Sequence, residues 1–483
     1  MRWQIIAKVI GILLFSLGLC MIAPLLVSLH YNDLQAKGFI ISICITIIAG
    51  LLLFLISKKF DDYNDIKQKE GMTIVALAWT GIGFFGALPF YFAPEFTSFT
   101  DAFFESVSGF TTTGSSILID IESVDKSILF WRSLIQWLGG MGIIVLSLAI
   151  LPFLGTGGIQ LYKAEVPSPI PDKLTPRLSD SAKILWVLYA LITLAETIFL
   201  LAGGMPLFEA VCHAFTTMPT GGFSPKNASI GQYNSIFFDY VIIVFMILAG
   251  INFTLHYQML RGKTLAFWKD TECRFFLSLI ILLTLLMTFD IYGSVYDSLK
   301  DAVRYASFQV VSIITTTGYV TSDYEKFPGF SQVLLFISMF IGACAGSTGG
   351  GMKCARIIVC FKYCYREVFK IIHPRSISQV KINGIVVSDE ILKSIIGFLC
   401  LYIFLFLIAS IMLAAMGTDM KTSFGAVAAC IGNIGPGFGD VGPTKNFALI
   451  PMAGKWVLSW CMLLGRLEIY TIIIIFVPEF WKK

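Results

Sequence analysis

Long apolar runs separated by short polar segments recur along the whole chain. The runs occupy residues 9–29, 38–57, 72–93, 128–154, 182–203, 236–256, 275–293, 331–360, 391–416 and 454–477. Each run is long enough to cross the hydrocarbon layer of a bilayer, which takes about 20 residues in a helix. The pattern predicts an all-α, multi-pass integral membrane protein that lies in a lipid bilayer.

Composition agrees with this prediction. Hydrophobic residues make up 56% of the chain and charged residues 14%, and the mean hydropathy is +0.80. The first run is longer than the apolar core of a cleaved signal peptide, so we expect it to be retained as a helix.

The basic residues predict the orientation of the chain. With a cytoplasmic N-terminus, 24 of the 35 lysines and arginines fall on the cytoplasmic side. They cluster in 58–69, 163–183, 261–274, 353–393 and Lys482-Lys483. This bias predicts that both termini are cytoplasmic. The net charge of +4 is therefore a topology signal, and it does not indicate nucleic-acid binding.

Cysteine and histidine give no sign of a transition-metal site. Most of the 11 cysteines lie in apolar runs, where a free thiol behaves as a small hydrophobic group. Cys360 and Cys364 are one helical turn apart, but no second pair of ligands accompanies them, and the four histidines are scattered.

One string of four residues occurs twice. Thr111–Gly114 and Thr315–Gly318 both read Thr-Thr-Thr-Gly, and seven of eleven aligned positions agree when the preceding residues are included. A Phe-x-x-Val pair precedes each of these strings, and the same pair precedes a glycine-bearing turn at two further places. These two places are degenerate copies of the string. The pairs are Phe104/Val107, Phe208/Val211, Phe308/Val311 and Phe424/Val427, with marked glycines Gly114, Gly221, Gly318 and Gly435.

These four copies predict four tandem repeats around a central pore. The predicted units are an N-terminal helix pair, 1–69, and repeats at 70–180, 181–270, 271–385 and 386–483. The segment between each Phe and its glycine is too short to cross a bilayer as a helix. Non-helical backbone at membrane depth is tolerated only inside protein or beside a water-filled cavity. Each repeat is therefore predicted to contain a span, a re-entrant pore helix, a filter turn and a second span.

The residues of the turns suit a bare cation. Glycine permits backbone angles that aim carbonyl oxygens at a narrow axis, and carbonyl rings can replace the hydration shell of an ion. The negative ends of four pore-helix dipoles would favour a cation at the same place. The predicted filter residues are Thr112, Thr113, Gly114, Thr220, Gly221, Gly222, Thr316, Thr317, Gly318, Asn433, Ile434 and Gly435.

At these motifs the chain resembles a known family. The strings FTTTGSS, TTMPTGGFS, TTTGYV and GNIGPGFGDVG are similar to those of the Trk/Ktr/HKT superfamily of cation-uptake proteins, and in particular to TrkH-type membrane subunits of bacterial potassium uptake. The resemblance covers essentially the whole chain. It implies potassium as the substrate, the bacterial inner membrane as the location, and a homodimer with one pore per protomer.

The resemblance also implies a partner and a rule for selectivity. The partner is a TrkA-type cytosolic nucleotide-binding regulatory subunit, and nucleotide is expected only on that subunit. In this family a glycine at the filter position of all four repeats accompanies potassium permeation, which Gly114, Gly221, Gly318 and Gly435 satisfy. The second and fourth turns depart from Thr-Thr-Thr-Gly, which leaves the strictness of potassium selectivity open.

Glycines interrupt the apolar run 331–360. The interruption spans Gly346, Ser347, Thr348, Gly349, Gly350 and Gly351. Clustered glycines destabilise a helix interior by roughly 1 kcal/mol each relative to alanine, so we expect a break inside the membrane; a cytoplasmic helix end is the alternative. The resemblance implies an intramembrane loop beneath the filter that obstructs the path, and hence a movable gate.

Arg466 is a charged residue inside the last apolar run. An arginine at the membrane centre costs about 2.5–3.5 kcal/mol on insertion scales, so it should face a polar cavity or a partner. The resemblance implies that Arg466 projects into the pore and restrains cation flow. The alternative is a structural ion pair with a carboxylate of another helix.

Other functional interpretations remain open from the residues alone. Broken helices and repeats also suit an alternating-access symporter that couples potassium to sodium or protons. An intramembrane enzyme would need a clustered catalytic set, whereas the membrane runs hold only scattered acids such as Glu196. The basic stretch 353–393 indicates either cytoplasmic anchoring or a docking surface for the regulatory subunit.

Overall fold

A computed structural model describes residues 1–57, 68–140, 142, 178–376 and 378–482. Helices joined by short loops make up these residues, together with one antiparallel hairpin that pairs Lys381–Ile382 with Ile385–Val386. The predicted all-α membrane fold is confirmed. Part of the predicted run 128–154, most of the basic clusters 58–69 and 163–183, and Lys483 lie outside the described residues.

An N-terminal pair of helices precedes the rest. Trp3–Cys20 and Ile22–Tyr31 form one long membrane-length segment, and Ala36–Ile56 packs against it. The two backbones approach closely at Gly11, where a Cβ atom would lie 2.7 Å from the carbonyl oxygen of Gly50. Small residues at helix crossings provide this kind of contact in membranes.

The remaining helices repeat one order: a long first helix, a short helix, a turn and a second helix. The first helices are Gln68–Gly86, Leu178–Ala202, Thr271–Ile291 and Asp389–Ala415. The short helices are Phe99–Phe110, Leu207–Thr217, Leu299–Ile314 and Met420–Gly432. The second helices are Lys126–Gly140, Ile236–Gly250, Gly329–Ile341 and Met452–Arg466. Further helical segments are Leu88–Tyr91, Ser229–Tyr233, Phe253–Leu260, Ala266–Lys269, Tyr324–Lys326, Cys354–Ile372, Gly439–Val441, Tyr470–Ile473, Ile474–Phe476 and Pro478–Trp481.

Each second helix packs against the short helix of the next group. The pairs are Lys126–Gly140 with Leu207–Thr217, Ile236–Gly250 with Leu299–Ile314, and Gly329–Ile341 with Met420–Gly432. The last second helix, Met452–Arg466, packs against the first short helix, Phe99–Phe110, and so closes the ring. The four short helices and the turns that follow them therefore converge on one central axis.

Burial divides this ring into an inside and an outside. Residues 101–110 of the first short helix are all buried, whereas the long first helices expose leucine, isoleucine and phenylalanine. Leu191, Leu194 and Ile198 show the pattern on one such helix. Such an apolar outer surface is what a bilayer would cover. Six helices among the described residues are long and apolar enough to cross a membrane, or up to eight if each bent pair is one span.

Two predicted spans are not continuous. The run 236–256 bends by 100° between Ile236–Gly250 and Phe253–Leu260, and the run 454–477 bends by 113° after Arg466. The sequence analysis did not predict these breaks, because both lie between apolar segments and hydropathy alone does not register them. At the first break the Asn252 side chain accepts a hydrogen bond from Thr254 N at 2.8 Å and starts the next helix.

Candidate ion pathway

The four turns that follow the short helices share one backbone conformation. A left-handed residue stands first in each turn: Thr112 (φ 54°), Thr220 (φ 57°), Thr316 (φ 61°) and Asn433 (φ 54°). Two residues later each turn has a glycine with positive φ: Gly114 (82°), Gly222 (73°), Gly318 (78°) and Gly435 (102°). Positive φ is accessible to glycine without the steric cost of a Cβ atom, which explains glycine at this point in all four turns.

The second turn is offset by one residue from its predicted alignment. Thr113 N and Gly114 N donate to Ser108 O at 2.8 and 3.5 Å in the first turn. In the second turn Gly221 N and Gly222 N donate to Thr216 O at 2.9 and 3.1 Å. Gly222, and not the marked Gly221, is therefore the counterpart of Gly114.

The Phe-x-x-Val pairs are equivalent in only two of the four copies. In the third turn Thr317 N donates to Ser312 O, the counterpart of Ser108, and each of these serines lies four residues after its phenylalanine. Phe208 instead lies eight residues before Thr216, which displaces the second pair by one helical turn. A shift of about one turn leaves a side chain on nearly the same helix face, so the sequence spacing concealed the displacement.

The positive-φ glycines join the four turns into a closed ring. A Cβ atom on Gly114 would lie 2.1 Å from Gly221 O, and one on Gly222 would lie 1.9 Å from Thr317 O. A Cβ atom on Gly318 would likewise lie 1.8 Å from Ile434 O, and one on Gly435 would lie 2.8 Å from Thr113 O. Each glycine thus abuts the carbonyl that precedes the glycine of the next turn. The regular order of these contacts supports the revised alignment of the second turn.

One cavity of about 160 Å³ is lined by all four of these glycines. Arg132, Lys226 and Lys445 also line it. A hydrogen bond to Asp440 raises the pKa of Lys445. The cavity lies at the glycine end of the turns and forms a mouth to the central axis.

Side chains behind the turns fix their position. Gln136 donates from Nε2 to Gly221 O at 2.7 Å and accepts from Phe223 N at 3.1 Å. Asn433 donates from Nδ2 to Thr113 Oγ1 at 2.9 Å, which joins the fourth turn to the first. Both contacts connect different repeats, so they set the spacing between neighbouring turns.

The threonine hydroxyls of the predicted filter have different surroundings. Thr113 Oγ1 and Thr317 Oγ1 hydrogen-bond to the threonine two residues before them, at 2.7 and 2.8 Å. Thr112 Oγ1 is buried, and among the described residues it has no hydrogen-bond partner. Thr316 Oγ1 accepts from Gly350 N at 2.7 Å. Thr112 and Thr316 hold the same position in their turns, but their hydroxyls therefore differ in hydrogen bonding.

A buried ion pair supports the mouth between the first two turns. Arg132 Nε lies 2.8 Å from Glu105 Oε1, and both side chains are at most 2% exposed. Glu105 also accepts from Ile117 N at 3.0 Å, while Arg132 donates to Ser224 O at 3.3 Å. The guanidinium lies over the Phe223 ring at 4.1 Å. This pair connects the chain segments that leave the first and second turns.

The glycine-rich segment lies at the opposite end of the turns from the cavity. The helix before it ends at Ile341 and the next begins at Cys354, so the predicted break in the run 331–360 is present. A Cβ atom on Gly349 would lie 3.0 Å from Thr315 O, and one on Gly350 would lie 2.4 Å from Gly432 O. The loop thus sits directly beneath the third and fourth turns.

Further contacts hold the loop against the second repeat. Thr348 Oγ1 donates to Met218 O at 2.9 Å and is 3.2 Å from Ala249 O. Phe253 N donates to Gly346 O at 3.1 Å, at the bend that the sequence did not predict.

Arg466 connects this loop to the first repeat. Its guanidinium donates to Thr348 O at 2.8 Å, and to Gly139 O and Gly140 O at 2.7 and 2.9 Å. Glu468, two residues further on, pairs with Arg356. Arg466 thereby spans from the end of one second helix to the loop below the turns.

Sequence reasoning missed three polar residues of this region. Gln136 supports the second turn, buried Lys353 donates to Gly349 O inside the glycine-rich loop, and Glu272 binds both ends of that loop. Gln136 and Glu272 carried a usable signal, because each is a polar residue within or at the end of an apolar helix. Lys353 gave no separate signal, because it is the first of many basic residues in the stretch 353–393.

Taken together, the fold and these contacts define a membrane protein with a ring of four backbone turns, a mouth on one side and a loop on the other. These features are those of a membrane transport protein. The chain belongs to the TrkH family of cation transport proteins, whose family model matches residues 35–483.

Relatives match along the full chain. The Trk system potassium uptake protein TrkH of Salmonella typhimurium is 40% identical over 491 residues and covers 100% of both chains. The Trk system potassium uptake protein TrkG of Escherichia coli is 35% identical and covers 99% of both. The crystal structure of the potassium transporter TrkH from Vibrio parahaemolyticus superimposes with a TM-score of 0.90 at 37% identity, over 100% of both chains.

Proposed function

We propose that this protein takes up potassium ions across the bacterial inner membrane through a channel-like pore. The observation that carries the proposal is the closed ring in which each filter glycine abuts a carbonyl of the next turn. Similar proteins are named as potassium uptake proteins of Trk systems. In this proposal the backbone carbonyls of the four turns replace the hydration shell of the ion.

The ring also sets the electrostatics of the path. The four short helices end at the turns, so the negative ends of their dipoles, roughly half a charge each, point toward the axis. They supply fixed partial charge without a buried carboxylate in the turns themselves. A monovalent cation can bind there and still leave, which rapid passage requires.

The glycine-rich loop and Arg466 form the gate in this proposal. The loop lies against Thr315, Thr316 and Gly432 at the lower end of the turns, where it blocks the axis. The positive charge of Arg466 beside the loop opposes an entering cation. Opening would move Gly346–Gly351 and Arg466 together, because the Thr348 carbonyl joins them.

A cytosolic regulatory subunit of the TrkA type would control this gate, with nucleotide bound only to that subunit. The basic stretch 353–393 is its proposed docking surface. We propose that this stretch and both termini lie in the cytoplasm, as the distribution of basic residues predicts. We also propose a homodimer. Exposed Phe361, Tyr365 and Val368 on the helix Cys354–Ile372 give it an apolar face that a second protomer could cover.

Growth of a host that lacks its own potassium-uptake systems tests the proposal. Expression of the chain together with its Trk-type regulatory subunit should restore growth when potassium is limiting, and Gly114→Ser should impair the rescue or admit sodium. Failure of the wild-type chain to rescue, when it is present in the membrane, would contradict potassium uptake. Single-channel recordings separate the pore from the symporter alternative, because a carrier moves too few ions to give resolvable current steps.

A further inference from the structure

A single carboxylate oxygen touches both ends of the glycine-rich loop. Glu272 Oε1 accepts from Ala345 N at 2.7 Å and from Ala355 N at 2.8 Å. Ala345 directly precedes the segment Gly346–Gly351, and Ala355 follows it at the start of the next helix. The side chain of Glu272 is 8% exposed. Both arms of the loop are therefore fixed to one atom of another helix.

Two other contacts at the base of the loop are made within the loop's own chain segment, whereas Cys344 N donates to Gly250 O at 3.0 Å, at the end of the helix Ile236–Gly250. Cys354 N donates to Ala343 O at 3.0 Å and Met352 N to Phe340 O at 3.1 Å. The two bonds within the segment close the base, and the Cys344 bond attaches the first arm alone to a neighbouring helix. Glu272 attaches both arms to one helix, because it lies in the first turn of the long helix Thr271–Ile291.

The start of this helix is held from the cytoplasmic hairpin. Asn383 accepts from Thr271 N at 2.7 Å and donates to Asp270 Oδ2 at 2.6 Å. Asp270 caps the same helix by accepting from Cys273 N at 2.7 Å. The hairpin lies in the stretch 353–393. A continuous set of contacts thus runs from the hairpin, through Asp270 and Thr271, to Glu272 and the loop.

We propose that Glu272 is a positioning residue that holds the gating loop beneath the filter, and that the Asn383 contact couples the cytoplasmic hairpin to it. The inference rests on the proposed pore and gate, and it names the route by which a bound regulatory subunit acts on them. Movement of the hairpin would shift the start of the helix Thr271–Ile291. The loop would follow, because both of its arms are bound to Glu272.

Rubidium-86 uptake into potassium-loaded vesicles of anionic lipid, with the purified full chain alone, tests this role. Glu272→Asp keeps the charge but shortens the reach to the two amides, whereas Glu272→Gln keeps the length and an acceptor oxygen. Glu272→Asp should raise basal uptake roughly fivefold, as expected for the loss of one net hydrogen bond. Glu272→Gln should raise it less. Asn383→Ala should raise uptake in the same direction by a smaller factor.

Asp290→Ala provides a matched control on the same helix. Asp290 accepts from Ser331 N and Ser331 Oγ, at 3.0 and 2.6 Å, so this variant also loses two hydrogen bonds but far from the loop. It should leave uptake at the wild-type level. Thermal unfolding of each variant shows whether it is folded.

Wild-type uptake by folded Glu272→Asp would overturn the positioning role, as would a larger increase for Glu272→Gln than for Glu272→Asp. Wild-type uptake by Asn383→Ala would overturn the coupling to the hairpin, but the positioning role of Glu272 would stand. If no variant takes up rubidium, Arg466→Ala included, and growth rescue also fails, the proposed function is contradicted and this inference falls with it.

Discussion

Gly318 lies so close to the carbonyl oxygen of Ile434 that a Cβ atom on it would be 1.8 Å from that oxygen. The neighbouring turn fills the space that a side chain would need. Because the oxygen belongs to backbone, no rotamer change can relieve the overlap. The glycine is therefore required by the contact between turns as well as by its own positive φ.

Gly318→Ala should severely reduce potassium flux, because the fourth turn must move before the Cβ atom fits. A change of about 1.4 kcal/mol in the barrier alters a rate tenfold, so we expect a loss of at least about tenfold. Gly293→Ala is the control, since Gly293 also has positive φ (74°) but meets no atom within 4 Å. Wild-type rubidium uptake by a folded Gly318→Ala protein would refute the ring contact.

In the second turn the same reasoning separates two adjacent glycines. Gly222→Ala should abolish uptake because its Cβ atom meets the backbone at Thr317 O, at 1.9 Å. The Cβ atom of Gly221→Ala meets the side chain of Gln136 first, at 2.4 Å from Cδ, and a side chain can shift. We expect Gly221→Ala to retain part of the rubidium uptake. Gly204→Ala, at an open position with φ of 91°, controls for backbone strain in this repeat. A greater loss of uptake for Gly221→Ala than for Gly222→Ala would instead support the sequence-based alignment, in which Gly221 is the counterpart of Gly114.

The contrast between these turns shows what the sequence could predict. Identical strings at Thr111–Gly114 and Thr315–Gly318 make the same backbone hydrogen bonds, so their filter role could be proposed from local pattern alone. The second turn could not be aligned by Phe208, because a displacement of one helical turn keeps nearly the same face toward the core. Spacing along the chain does not determine which amide bonds to which carbonyl.

Contacts between repeats were beyond the reach of sequence. The hydropathy of 236–256 and 454–477 predicted apolar helices at these positions, but the bends inside them depend on packing against the loop and the turns. Gln136 and Glu272 acquire their roles only because distant segments are brought to them in space. Arg466 was identified because a charge in an apolar run stands out against its neighbours.

Arg466→Ala should raise basal cation uptake, since it removes a positive charge and three hydrogen bonds at the loop. Arg466→Lys should give an intermediate value, because an ammonium cannot span the three carbonyls as the planar guanidinium does. Rubidium uptake into vesicles measures both.

Lys455→Ala tests the structural alternative for Arg466. Lys455 lies on the same helix and forms a buried ion pair with Asp101 at 2.6 Å. Its removal should lower the thermal unfolding midpoint without raising uptake. If Arg466→Ala behaves like Lys455→Ala, lower in stability and unchanged in flux, then Arg466 has a structural role.

The ion pair between Arg132 and Glu105 should contribute strongly to stability. Removal of one partner leaves an uncompensated buried charge, so Arg132→Ala should lower the free energy of unfolding by about 3–5 kcal/mol. Lys445→Ala breaks an exposed pair with Asp440, whose side chain is 57% exposed, and should lower the stability far less than Arg132→Ala does. Denaturant unfolding in detergent compares the two variants. Equal losses would show that the buried pair is not important for stability.

Gly350→Ala tests whether the loop obstructs the path. A Cβ atom there would lie 2.4 Å from Gly432 O, so the loop should move away from the turns and weaken the 2.7 Å bond from Gly350 N to Thr316 Oγ1. We expect basal rubidium uptake to rise about fivefold for the loss of one net hydrogen bond. Gly329→Ala meets no atom within 4 Å and should leave uptake unchanged. The loop cannot keep its position against Gly432 O once residue 350 carries a methyl group. A folded Gly350→Ala protein with wild-type uptake would therefore exclude the loop as the obstruction.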